Sequence, residues 1–426
     1  MKIINHFNKS SHSLIVAGLL VVTGFLGACQ EEDEISVGPP AIERVRTTDP
    51  TTADSAFTSA TLGSTLAIIG TNLLGTQQVY LNDYPLGVNT AYVTNNTVIV
   101  TVGDSVPTVA TDPNVPNKLR LVTKSGESVI DFQTLPPAPQ VLQVKNQYLK
   151  PGDEMTLFGR YFYFVDTVYF PGEDVFVTSG FQTNSAGTSL TVTVPEGLDF
   201  SNSQTISVVT RSGGSATNRN TQIYNGKGMV ADFDTNGALE WPWNWGWGMS
   251  GDMIQSSQPG IGSLEGSFGG MNQAFPAKNG WNNDKVINLT NWGGAQILPL
   301  GEGYEPATPA ASFDIRLEIA VNTTASIEGL ELQFWYPDLK KNELSFNVPI
   351  SNFVKSTDGS WYTISVNLSQ LSNGSTRLTT YADFLAGNYE NGSIIHQLRL
   401  VVVNPTLSDI SAVVGIDNVR VVRAVQ

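Results

Sequence analysis

Gly63-Ser-Thr-Leu-Ala-Ile-Ile-Gly70 and Gly152-Asp-Glu-Met-Thr-Leu-Phe-Gly159 are one pattern written twice: a glycine, a polar opening, alternating apolar residues and a second glycine. The correspondence continues downstream. Val79-Tyr80 stands in the register of Val168-Tyr169, and Thr97-Val-Ile-Val-Thr-Val102 answers to Ser189-Leu-Thr-Val-Thr-Val194. Val122-Thr-Lys-Ser-Gly126 answers to Val209-Thr-Arg-Ser-Gly213. Alternation of period two puts successive side chains on opposite faces of a strand, and glycines between such runs mark turns. Each unit of roughly 90 residues therefore reads as one two-sheet β-sandwich, and the middle of the chain as two in tandem.

The proline-led first strand, the Gly…Gly strand and the closing Val-Thr-x-Ser-Gly hairpin resemble the IPT/TIG family of immunoglobulin-like domains over residues 41–225. The expected boundaries are 41–137 and 138–225. Pro136, Pro137, Pro139 and Pro151 suggest a stiff junction. Tyr148, Tyr161, Phe162, Tyr163 and Phe164 form an aromatic group that suits either a binding patch or packing within and between modules. Neither repeat carries a catalytic constellation, so the pair reads as a spacer.

From about Met229 the texture changes. All eight tryptophans lie beyond residue 240. Four of them, Trp241, Trp243, Trp245 and Trp247, alternate in a segment broken by Pro242, Gly246 and Gly248. Exposed rings on a loop suit the flat faces of sugar rings, whose hydroxyls bond to nearby polar groups. Trp281 and Trp292 stand in polar, glycine-rich stretches and share that reading. Alternating runs at 312–321, 329–336, 361–368 and 396–403 make residues 226–426 one larger β-sandwich of jelly-roll type.

Alternation also sorts faces. Leu330, Leu332, Phe334 and Tyr336 share a core face, leaving Glu331, Gln333 and Trp335 on the other. Phe313, Ile315, Leu317 and Ile319 point inward, with Asp314, Arg316 and Glu318 outward. Leu398, Leu400 and Val402 point inward, with Gln397 and Arg399 outward. The expected ligand contacts are Trp241, Trp243, Trp245, Trp247, Trp281, Trp292, Trp335, Gln333, Arg316 and Arg399. The two arginines suit either vicinal hydroxyls or a neighbouring carboxylate. Trp361 opens a regular strand, at a position that resembles a structural tryptophan of the jelly-roll carbohydrate-binding modules, and is left out of the expected contacts.

Phe233-Asp234, Gly359-Ser-Trp-Tyr-Thr-Ile-Ser-Val-Asn-Leu368 and Ile416-Asp-Asn-Val419 resemble the jelly-roll carbohydrate-binding modules. That resemblance implies a structural calcium held by Asp234 and Asp417, against the alternative of ordinary turn hydrogen bonding. No cofactor is otherwise required.

Lys2 and Lys9 followed by the apolar stretch Leu14 to Phe25 make residues 1–28 a secretory signal, too short for a confident membrane span. It ends in Leu26-Gly27-Ala28-Cys29, which resembles a lipobox and implies lipidation of Cys29, the single cysteine of the chain. The acidic tether 29–40 begins Gln30-Glu31-Glu32-Asp33-Glu34 and resembles the surface-export signal of Bacteroidetes lipoproteins. A formal net charge of −15 argues against nucleic acid, since phosphate binding needs clustered Lys and Arg.

Lipid anchor, immunoglobulin-like string and C-terminal sandwich together resemble the surface glycan-binding lipoproteins of Bacteroidetes. This implies an all-β, non-catalytic, monomeric protein on the outer membrane, facing outward. It would capture a polysaccharide, expected to be a plant-type β-glycan, and pass it to an outer-membrane transporter complex. A protein-binding adhesin that uses the repeats is the alternative. A glycoside hydrolase or lyase is further off: Glu240, Asp252, Glu265 and Asp284 offer carboxylates but no motif pairs them, and His396 is the only histidine outside the signal.

Overall fold

The computed structural model describes residues 38–234, 253–280, 285–291, 296–337, 343–386, 388–390 and 393–425. Nearly every element is a strand, and the chain divides into two compact units, Met1–Leu135 and Pro136–Gln426.

In the first unit, Ala41–Thr47, Thr65–Thr71 and Thr97–Thr101 form one sheet. Thr76–Leu81 and Lys118–Thr123 form the centre of a second. Leu66, Ile68, Val79, Leu81, Val98, Val100, Leu119 and Leu121 fill the space between them. The second repeat builds the same sandwich: Gln140–Val144, Glu154–Arg160 and Ser189–Thr193 on one side, Val165–Tyr169 and Ser207–Thr210 on the other.

The written repeat corresponds to a repeated backbone device. Gly63 and Gly152 both take positive φ, +82° and +92°, where a side chain is strained. A Cβ on Gly70 would lie 2.0 Å from the Ala41 carbonyl oxygen, and one on Gly159 2.0 Å from that of Gln140. Beside each of these close approaches the pairing register shifts, between Ile42 and Arg44 in one repeat and between Val141 and Gln143 in the other.

The C-terminal domain is an antiparallel sandwich. Its six-stranded sheet runs Ile254–Gln255, Phe268–Phe275, Ile410–Arg423, Phe313–Asn322, Asp358–Asn367, with Met229–Ala231 also paired to the Ile410 strand. The facing sheet runs Val286–Asn291, Ser393–Val403, Glu331–Pro337, Glu343–Pro349, with Asn388–Glu390 paired to the Ser393 strand. Every residue that alternation turned inward on the Phe313, Glu331 and Ser393 strands is buried in the common core. Trp361 packs edge-on against Phe268 at 5.2 Å and donates its indole N–H to Gly262 O at 2.7 Å, a structural position as its sequence context implied.

The opposite face of the Phe313 strand differs from expectation. Asp314, Arg316 and Glu318 point away from the core, yet all three are buried, because the second immunoglobulin-like domain lies on them. Arg316 donates to Gln147 Oε1 at 2.8 Å, Gln222 Oε1 at 2.6 Å, the Arg219 carbonyl at 3.2 Å and Asp314 Oδ2 at 2.9 Å. Thr363 donates its amide to Lys145 O at 2.8 Å and accepts the Gln147 amide at its hydroxyl. Arg420 binds Glu318 twice, at 2.5 and 2.9 Å, and lies over Tyr224 at 5.1 Å. Arg316 is therefore corrected from ligand contact to inter-domain contact: it is 2% exposed and its hydrogen bonds go to protein. The second repeat and the C-terminal sandwich fall in one compact unit.

The aromatic group resolves in the same sense. Phe162 is core, Tyr163 donates to Ala186 O, Phe164 lies under Arg211, and Tyr148 stacks on Tyr224 at 5.2 Å within the seam.

Candidate functional site

The outward face of the Glu331 and Ser393 strands carries the candidate site. Strand pairing sets Trp335 opposite Arg399 on one side and Ser345 on the other, while Arg399 stands opposite Asn288. One row, Asn288–Arg399–Trp335–Ser345, thus crosses all four main strands of the sheet. These residues project outward because their neighbours Leu289, Leu400, Phe334 and Leu344 are core.

Within the row, the Arg399 guanidinium lies 3.9 Å from the Trp335 ring centroid. That cation–π contact fixes the indole and places planar N–H donors beside an aromatic surface. Arg399 Nη2 donates to Gln397 Oε1 at 2.8 Å. Gln397 Nε2 donates to Asn288 Oδ1 at 3.0 Å and Thr290 Oγ1 at 2.9 Å, and Thr290 donates to Asn288 at 2.6 Å. The pair thus stands on a buried amide and hydroxyl network that limits its movement. Beside Trp335, Gln333 donates to Asn347 Oδ1 at 3.0 Å, and Asn347 donates to Glu331 at 2.9 Å. An aromatic surface flanked by pre-oriented donors and acceptors has the chemistry of a pyranose site, where C–H faces meet the ring and hydroxyls meet the polar groups.

Of the ten expected ligand contacts, Trp335, Gln333 and Arg399 come together here, and Arg316 lies in the seam. Trp241, Trp243, Trp245, Trp247, Trp281 and Trp292 lie outside the described residues, as does Cys29. Asn288, Thr290 and Asn347 were missed. The signal was present in Val286-Ile-Asn-Leu-Thr290, where polar residues alternate with core residues, but only the register shows which strand they face.

Asp234 and Asp417 each accept a backbone amide, and the buried Asp417 Oδ2 has no hydrogen-bond partner among the described residues. Asp234 Oδ1 accepts the Ser267 amide at 2.6 Å, and Asp417 Oδ1 accepts that of Asn418 at 2.7 Å. Burial pushes Asp417 up to about 8, against the Asn418 hydrogen bond and with help from Glu318, Asp234 and Asp232. Calcium takes six to eight oxygens, preferably charged. Among the described residues no three acidic, histidine or cysteine side chains group together.

Glu265, one of the carboxylates weighed for hydrolysis, closes the seam instead. Lys150 Nζ lies 2.5 Å away and Tyr148 donates to it at 2.9 Å, and these two partners hold its carboxyl below the ordinary value. A glycosidic acid needs the opposite shift. Glu240, Asp252 and Asp284 lie outside the described residues, and among the described ones no helix is long and apolar enough to cross a membrane.

Comparison with known proteins bears on this domain. Residues 223–423 match the family model of the surface glycan-binding protein B xyloglucan binding domain. An IPT/TIG domain-containing protein of Bacteroides ovatus is 34% identical over 198 residues, 43% of this chain and 40% of the relative, so the match spans less than half of that protein. The crystal structure of the surface glycan-binding protein PbSGBP-B from Prevotella bryantii superposes with a TM-score of 0.58 over 91% of this chain and 99% of that one, at 21% identity. It shares the fold. SGBP-B from a complex xyloglucan utilization locus in Bacteroides uniformis is 20% identical and covers 90% of this chain and 99% of its own, with a TM-score of 0.47.

Proposed function

We infer, from the match of residues 223–423 to the family model of the surface glycan-binding protein B xyloglucan binding domain, that the chain is a non-catalytic receptor for xyloglucan. The observation that carries this reading is the Trp335–Arg399 pair on its buried polar support, in the domain that the family model covers. A β-linked glucan backbone is extended, so successive sugars lie along a row of outward side chains. The tryptophans at 241–247, 281 and 292 would add further stacking. The lipid on Cys29 would hold the protein at the outer membrane, facing outward, beside the transporter that takes up the captured chain.

Calorimetry of the mature chain against xyloglucan, with mannan and xylan as controls, tests the reading. Saturable heat with xyloglucan is expected, with no reducing ends released. Trp335→Ala should weaken binding at least tenfold, about 1.4 kcal/mol, the scale of an aromatic hot spot. Absence of heat with xyloglucan, or full affinity in Trp335→Ala, would overturn the ligand or the site respectively.

A further inference from the structure

A separate cleft lies along the seam between the second immunoglobulin-like domain and the C-terminal sandwich. It has a volume of about 440 Å³, within the usual range for ligand sites, and is lined by Asn146, Tyr148, Lys150, Glu154, Leu264 and Glu265 among others. A smaller recess of about 190 Å³ shares Asn146, Glu154 and Leu264 with it and runs on to Ser360 and Trp361. The two form one continuous groove.

We propose that this groove is a second contact site for a neutral oligosaccharide, formed jointly by the second immunoglobulin-like domain and the C-terminal sandwich. Its lining mixes apolar surface from Leu264 and the Tyr148 ring with carboxylate and amide groups. Asn146 uses its side-chain oxygen to accept the Tyr148 amide at 2.9 Å, and its amide nitrogen has no partner among the described residues. The Glu154 carboxylate, exposed at the junction of the two recesses, has none either. A donor and an acceptor are thus left for a ligand where the two recesses share their lining. Lys150 lies 2.5 Å from Glu265 and Lys145 lines the smaller recess, so these two cations offset most of the charge of the Asp153, Glu154 and Glu265 carboxylates, which favours hydroxyl groups over a cation. The walls are held by the Arg316 and Thr363 hydrogen bonds described above, so the groove needs no closure to form. Two sites on one chain would engage one polymer with avidity.

This inference rests on the glycan-binding reading, and the experiment separates the two. Short xyloglucan oligosaccharides are titrated into the mature chain and into Asn146→Ala/Glu154→Gln, with melting temperature as a fold control. Two sites per chain are expected in the parent and one in the double variant. The affinity of the variant for long polymer should fall at least tenfold, and Trp335→Ala should retain only the groove. A single site in the parent that the double variant leaves unchanged overturns the groove while the receptor reading stands. No oligosaccharide binding in any form overturns both.

Discussion

At the scale of single residues, Arg316 and Arg399 show how one residue type takes two roles. Both alternate outward from a strand, but Arg316 is capped by a second domain and Arg399 is backed by an indole. Arg316→Ala would remove the nearest cation from buried Asp314, which keeps Arg219, Ser365 and Asn367, and should cost about 3 kcal/mol in chemical denaturation, the lower end of the penalty for breaking a buried pair. In the folded fraction, the affinity of the Trp335 face for short xyloglucan oligosaccharides should be unchanged; its loss without loss of stability would restore Arg316 to that site. Asp417 makes a pH prediction. Its folded value of about 8 lies above the ordinary 3.8, so the unfolded chain releases the proton first as pH rises. The stability it contributes is fully present below 3.8 and lost as pH climbs through about 8, with a slope of at most about 1.4 kcal/mol per pH unit. Asp417→Asn should flatten that decline between pH 5 and 8. Denaturation midpoints across this range check it, and a parent that gains stability with added calcium and loses it with chelator would reverse the reading of this carboxyl.

At the scale of elements, the repeated glycines explain why the two sandwiches share a signature despite different cores. Gly70 and Gly159 each pass within reach of a carbonyl that a methyl group would strike. Gly70→Ala and Gly159→Ala should each destabilise their own unit by about 1–3 kcal/mol through forced backbone movement. Gly87→Ala, with nothing within 4 Å of its added methyl, should stay within about 0.5 kcal/mol. Equal effects at all three positions, read by thermal unfolding, would show that the close approach is not what selects glycine. This level was readable: the motif stands in the sequence twice, and period-two alternation assigned core faces that the sandwich keeps. Which strands pair was not readable, because Asn288, Arg399, Trp335 and Ser345 meet only through register across four separated segments.

At the scale of the whole molecule, the second immunoglobulin-like domain and the C-terminal sandwich share a buried polar seam of Asp314, Arg316, Glu318 and Arg420. The hydrogen bonds that Gln147, Gln222, Arg219 and Lys145 make to this face come from the second domain, so removing it loses them together with the burial of the face. Residues 136–426 should unfold in a single calorimetric transition, and a fragment beginning at residue 226 should be markedly less stable. Two independent transitions, or an equally stable short fragment, would show that the seam is incidental.

The sequence by itself determined the all-β class, the tandem repeat, the change of texture near Met229 and the inward residues of each long strand. These follow from local periodicity and turn chemistry, which act between near neighbours. Tertiary structure alone decided what covers each outward face. The polar row of the Phe313 strand and that of the Ser393 strand read alike in sequence, yet one is buried under a domain and the other carries the Trp335–Arg399 pair. Alternation tells a side chain which way to point, while its partner there arrives from residues hundreds of positions or several strands away.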